Sequence, residues 1–290
     1  MLRHLNPIPQ SPERVVVIGS SGFVGGALVQ RLNQSGIVTL SIDRAKVDLL
    51  HADAAIALAD LLRPTDAVVA VAAIAPVKNT QMLADNMRLV ATIIQALGKV
   101  KVAHVVNISS DAIYADGPLP LTESSPMAPT SLHGAMHLAR ELAFAAEANA
   151  PLANLRPTLI YGASDPHNGY GPNRFRRLAE DGKDIVLFGN GEERRDHVYV
   201  DDVAELIVRV LQHRSSGALN IVTGEVHSFM EIANATAEIA GKIVAVKATP
   251  RVGPMPHNGY RPFDNAACKQ AFPDFRYTPM GEGLRKAATH

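Results

Sequence analysis

The sequence predicts an α/β fold: a doubly wound parallel sheet over residues 1–162, followed by a smaller lobe over residues 163–290 that is partly interleaved with it. Three observations predict this. Short, nearly uninterrupted apolar runs alternate with longer helical stretches through the first half, the pattern of strands buried on both faces by covering helices. A glycine-rich turn, "GSSGFVGG", joins the first apolar run to the first helical stretch. After Gly162 the chain becomes "ASDPHNGYGPN", a loop composition, and the elements beyond it are shorter and less regular.

In chain order, "RVVVIG" (14–19) reads as a buried strand and "FVGGALVQRLNQSG" as a helix stopped by Gly36. "IVTLSID" (37–43) is a second strand, "AIALADLL" a helix and "DAVVAVAA" (66–73) a third strand. "TQMLADNMRLVATIIQALGK" is a long amphipathic helix, and "VAHVVNISS" (102–110) the next strand. "LHGAMHLARELAFAAEANA" is a second long helix, followed by one more strand in "LANLRPTLIYG". Right-handed crossovers would wind these strands into one sheet. Farther on, Asp201 and Asp202 are placed to cap the helix "VAELIVRVL".

Composition narrows the function classes. With 47% hydrophobic residues in 290, a large core is within reach. Basic and acidic residues balance at 28 each, so no electrostatic argument favours a nucleic acid or an anionic membrane as partner. The single cysteine, Cys268, rules out an internal disulfide and reads as an inert packing residue. "MLRHLNPIPQSPER" lacks the apolar core of a signal peptide, and no apolar run reaches membrane-spanning length. The expectation is a soluble, cytoplasmic protein.

The glycine turn carries the first chemistry. Gly19, Gly22 and Gly25 are spaced G-x-x-G-x-x-G between a strand and a helix. The first permits a tight turn, the second lets backbone approach a pyrophosphate, and the third lets helix and strand pack closely. The amides of the turn and helix start, from Ser21 through Phe23 and Val24, would face the anion. That is a Rossmann-type dinucleotide site. Asp43, at the end of the second strand, suits the ribose hydroxyls and repels a 2′-phosphate, which favours NAD over NADP. Arg44 beside it is a counter-argument, since arginine can receive that phosphate. Asp48 is placed either to contact the adenine amino group or to cap a helix. Ala72 and Ala73 let backbone come near a cofactor, or simply mark a tightly packed strand end.

Together the glycine turn, Asp43, "DAVVAVAA" and "ISSDAIYAD" resemble the extended short-chain dehydrogenase/reductases, and within them the nucleotide-sugar epimerases and dehydratases. "LRPTLIYG" and "IVLFGNGEERRDHVYVDDVAELIVRVL" (185–211) extend the resemblance to roughly residues 14–285. It implies transient oxidation of a sugar carbon by tightly held NAD, a substrate-binding C-terminal lobe, and a homodimer joined through the two long helices. It implies that Ser110 orients the sugar hydroxyl and that Asp111 follows as in the dehydratases, although Ala112 stands where those have Glu. Asn86 would steady the nicotinamide end, with Ser109 and Pro157 beside the cofactor. Arg195, Arg261 and Asn173 would hold the nucleotide diphosphate; guanidinium suits paired phosphate oxygens.

The family's catalytic Tyr-x-x-x-Lys aligns with "PTSLHGAMHLARE". Pro129, Ser131, Gly134 and Glu141 keep register, but His133 takes the tyrosine position and His137 the lysine position. Leu159 stands where many relatives carry a substrate-contacting asparagine. Residues four apart share a helix face, which leaves several readings. Histidine titrates near 6.5, so His133 can exchange a proton without a cation beside it, and His137 would bind the nicotinamide ribose. Alternatively redox chemistry is lost and an NAD- or nucleotide-sugar-binding scaffold remains, or NADH is consumed in reducing a keto-sugar. A metal site is disfavoured, because "HGAMH" lacks the glutamate of the zinc-protease helix and no third ligand is evident. Two helix histidines without a role are the plain alternative.

Overall fold

The structure is a computed structural model that describes residues 1–117 and 119–289. In chain order the first half runs β1 (Arg14–Ile18), α1 (Phe23–Gln34), β2 (Thr39–Ile42), α2 (Ala54–Leu61), β3 (Asp66–Ala70), α3 (Thr80–Lys99), β4 (His104–Ile108), α4 (Leu132–Glu147), β5 (Leu152–Pro157) and β6 (Leu159–Tyr161). Then come α5 (Pro172–Glu180), β7 (Ile185–Phe188), β8 (Arg194–Arg195), β9 (His197–Tyr199), α6 (Val200–Gln212), β10 (Gly217–Ile221), β11 (His227–Ser228) and α7 (Phe229–Ala240). The chain closes with β12 (Val246–Thr249), β13 (Tyr260–Arg261), α8 (Ala266–Ala271) and α9 (Met280–Ala288).

Six strands form one parallel sheet in the order β10-β5-β4-β3-β1-β2. Its apolar runs are explained by burial on both faces. Val15 and Val17 of β1 pack toward Leu28 and Leu32 of α1 and Leu206 of α6. Val16 and Ile18, pointing the other way, pack toward Leu58 of α2, Ile93 of α3 and Phe144 of α4. The strand order reverses direction between β1 and β3, and the crevice beyond the carboxyl ends of strands at such a point is where this kind of sheet binds ligands.

The expected single strand in "LANLRPTLIYG" is two. Up to Pro157 it pairs with β4 and β10; from Leu159 it leaves the sheet and pairs with β9. Thr158 marks the break: its amide donates to the Ile221 carbonyl and its hydroxyl to the Asp196 carbonyl. Both α6 and β10 come from the second half of the chain yet complete the large sheet layer, with α6 packed on α1 and β10 on β5. The smaller lobe has its own core, including Phe175, Leu187, Phe229, Ile232 and Leu284. Asp201 and Asp202 do not cap α6: Tyr199 is the N-cap residue and both aspartates lie in the first turn. Asp202 instead accepts hydrogen bonds from the Thr278 amide and hydroxyl, each at 2.8 Å, which ties α6 to the segment leading into α9.

Candidate active site

At the switch point the glycines are sterically required. A Cβ on Gly19, at φ +95°, would lie 2.6 Å from the Ala72 amide nitrogen, so the ends of β1 and β3 touch through backbone. A Cβ on Gly25 would lie 2.1 Å from the Gly19 carbonyl oxygen, so α1 is seated directly on the turn. Gly22 is the N-cap of α1 and no side chain caps the helix. Its first amides, with Ser21 exposed and Phe23 and Val24 half-buried, therefore remain open to an anion at the crevice.

Asp43 follows β2 and accepts a hydrogen bond from the Lys46 amide through Oδ1 at 2.9 Å. Arg44 turns outward to Asp48 at 3.2 Å. Asp48 also accepts from the Leu50 amide at 3.1 Å, and these two bonds hold its carboxyl below the usual range, the amide contributing most. Asn86 is buried on α3 with its amide fully engaged: Oδ1 accepts from the Ile74 amide, and Nδ2 donates to the Ile74 and Met82 carbonyls. It shapes the loop after β3, where Ala72 is half-buried and Ala73 exposed. A dinucleotide fits this ground: an uncapped helix start, glycines where a Cβ would collide, and a carboxylate one strand away.

On the other side of the crevice the chain leaving β4 makes a single 3-10 turn, Asp111–Ile113. Ser110 caps it, accepting from the Ala112 amide at 3.1 Å. Ser109 is buried with its hydroxyl unpartnered, and Pro157 ends the neighbouring β5. Ser131 caps α4 by accepting from the Gly134 amide. Gly134 then brings the helix onto the turn, because a Cβ there would lie 2.1 Å from the Ala112 carbonyl oxygen. That contact brings α4 against the turn bearing Asp111, whose carboxylate acts on His133.

The two imidazoles meet edge to face, ring centres 4.7 Å apart. Both Nδ1 atoms are buried without a hydrogen-bond partner, a state that native proteins seldom leave without a reason. Burial lowers the His133 pKa, opposed by the Asp111 carboxylate. Burial pushes His137 well below the usual value, reinforced by His133 and Arg140. Both rings are thus held toward the neutral form. Among the described residues no three His, Cys, Asp or Glu side chains converge on a metal position.

Two arginines of the smaller lobe lie side by side, and one of them, Arg261, reaches the Asp111 turn. β8 and β13 run parallel with Arg195 opposite Arg261, so sheet register alone makes them neighbours. Both are buried. Arg195 reaches Glu193 at 3.3 Å, and its Nε is unpartnered. Arg261 donates to the Asp111 carbonyl at 2.9 Å and pairs with Asp116, which also holds His257 at 2.7 Å. Asn173 is turned elsewhere, accepting from the Gly162 amide at 3.0 Å to fasten the loop after β6. Sequence reasoning missed Arg140, Asn107, Asp116 and His257. Arg140 was accessible to periodicity, since it shares a helix face with His133 and His137. Asp116 and His257 are 141 residues apart and carried no local signal. A hollow of about 430 Å³ between α1 and α6 lies away from this site and is lined by ion pairs such as Arg31–Glu205 and Arg209–Asp274.

Known proteins resemble the chain in sequence and in fold. The chain is 28% identical to a UDP-glucose 4-epimerase of Mycolicibacterium smegmatis, with 79% of this chain and 83% of the relative covered. It is 25% identical to GDP-L-fucose synthase 1 of Arabidopsis thaliana, with 79% and 78% covered. Its fold is similar to that of the Thermus thermophilus UDP-glucose 4-epimerase solved in complex with NAD: TM-score 0.83, 25% identity, covering 96% of this chain and 98% of that one. A Bacillus cereus UDP-glucuronic acid 4-epimerase, solved with UDP-glucuronic acid and NAD, has the same fold at TM-score 0.82 and 21% identity, with 95% and 98% covered. Residues 15–222 match one family throughout the sheet and its crevice, and the chain belongs to it: the NAD dependent epimerase/dehydratase family.

Proposed function

We propose that the protein acts on a nucleotide-sugar by transient oxidation at a sugar carbon, with His133 as the group that takes the hydroxyl proton. The observation that carries this is the imidazole pair on α4, edge to face with both Nδ1 atoms buried and unpartnered, on a helix that Gly134 lets approach the turn bearing Asp111. Bound NAD supplies a hydride acceptor. Ser110 orients the hydroxyl. His133, held neutral by burial, accepts its proton near neutral pH, and Asp111 steadies the imidazolium that results. His137 faces the nicotinamide ribose. Arg195 and Arg261 take the diphosphate, whose charge offsets two guanidiniums placed side by side.

His133→Phe is expected to lower turnover by roughly 10²- to 10⁴-fold while leaving the NAD dissociation constant nearly unchanged. Unaltered turnover removes His133 from the mechanism. Binding without turnover across UDP-, GDP- and dTDP-sugars would favour a binding scaffold, and net NADH consumption with a keto-sugar a reductase.

We also infer a homodimer. α3 and α4 pack together and leave Ala84, Ala91, Ala145, Ala146 and Leu142, the last 60% exposed, on the outside. Small apolar residues on paired helices suit a four-helix contact with a second copy. Among the described residues no helix is long and apolar enough to cross a membrane. The lone thiol of Cys268 is buried, and a cytoplasmic setting suits it.

A further inference from the structure

Arg140 lies on α4, three residues beyond His137 and seven beyond His133, and only 1% of it is exposed. Its guanidinium donates to the Ala72 carbonyl at 2.8 Å, the Ala70 carbonyl at 2.7 Å, and the Asn107 side-chain oxygen. All three acceptors are neutral. Other buried arginines are paired with carboxylates: Arg156 with Glu141 at 2.7 Å, Arg176 with Glu180 at 2.6 Å, Arg195 with Glu193 at 3.3 Å, and Arg261 with Asp111 and Asp116. Among the described residues no carboxylate lies within ion-pair distance of Arg140. Burial lowers its pKa to about 10, so it stays charged at neutral pH.

A buried cation with neutral acceptors alone is costly, because its hydrogen bonds are satisfied but its charge is not. We propose that Arg140 is the fixed cation of this site, a positioning residue that fastens α4 to the ends of β3 and β4 and, through its field, disfavours a proton on His137. The proposal rests on the reading of His133 as the proton acceptor. It accounts for a site with no cation at position 137: the charge sits about one turn farther along α4. The anchoring is direct, because Ala72, which receives one guanidinium bond, is also the residue against which Gly19 packs. The floor of the crevice and the helix bearing the imidazoles are therefore one bonded unit.

The other charged groups packed on α4 do not replace it. Asp111, on the 3-10 turn, favours a proton on His133, and His133 disfavours charge on His137. Arg156 of β5 and Glu141 of α4 neutralise each other. On α3, Arg88 and Asp85 pair with each other.

The test is histidine titration by NMR in the full chain with three substitutions. Arg140→Gln keeps a donor and removes the charge. Asn107→Asp leaves the arginine and gives it a carboxylate. Arg140→Lys keeps the charge. The titration of His137 is expected to move to higher pH in Arg140→Gln and Asn107→Asp, and to stay near wild type in Arg140→Lys. An unshifted His137 in Asn107→Asp overturns the proposal even if Arg140→Gln does not fold. Titration of the free protein does not require turnover, so failure of the catalytic reading shows separately, as unaltered activity in His133→Phe.

Discussion

Single residues set the tolerances of the site. Gly25 is one of the tight points: a methyl group there would lie 2.1 Å from the Gly19 carbonyl oxygen, which is backbone and cannot rotate away. Gly25→Ala should therefore lift α1 from the phosphate turn, weaken NAD binding by more than tenfold and cost about 1–3 kcal/mol in stability. Calorimetric NAD titration and urea unfolding measure the two effects, and an unchanged dissociation constant would show that the turn does not hold the dinucleotide. The glycine spacing was readable from sequence because the turn it forms depends on residues close along the chain. The partners of Asn86 and Asn173 were not: both amides bond to backbone 11 to 13 residues away in sequence, and which way an amide points is decided by the loop it meets.

At the scale of elements, α4 and the 3-10 turn at Asp111–Ile113 must approach closely. Gly134 allows it, so Gly134→Ala should push the helix outward and carry His133 with it. A misplacement of about 1 Å costs on the order of 10²-fold in rate, so kcat should fall by about that much while the NAD dissociation constant stays within a few-fold. Loss of NAD binding instead would mean that the contact serves the cofactor pocket as a whole. The outer faces of α3 and α4 give a second prediction. Leu142→Glu places a charge in the inferred four-helix contact, and light scattering should find the variant monomeric where the wild type is dimeric. Wild-type protein that is already monomeric sinks the inference.

The whole molecule should be labile in acid. His104, His137 and His197 are buried; burial takes His104 down to about 4 and His197 to about 3, and His137 is well below the usual value. In the unfolded chain all three titrate near 6.5. Below that pH the unfolded chain takes up protons that the folded one refuses. Their stabilisation is thus complete above about pH 6.5 and declines as pH falls, by about 1.4 kcal/mol per pH unit for each group until its folded pKa is reached. Asp196 and Asp202, raised to about 6 by burial, act oppositely, since the folded state binds their protons first as pH falls. The imidazoles outnumber them. Urea midpoints should be lower at pH 5 than at pH 7.5, and equal midpoints would contradict the assignment of these rings as buried and neutral.

What the sequence determined alone was everything with a local or periodic cause. Apolar runs between amphipathic stretches specified the two-sided parallel sheet, and glycine spacing specified the phosphate turn. His133 and His137, one helical turn apart, announced a shared face. Tertiary structure decided what depends on distant segments arriving together: the break at Thr158, the register that sets Arg195 against Arg261, and the burial of Arg140 against the ends of β3 and β4. Charge and burial are properties of a surrounding volume, and a chain read in one dimension does not contain that volume until it folds.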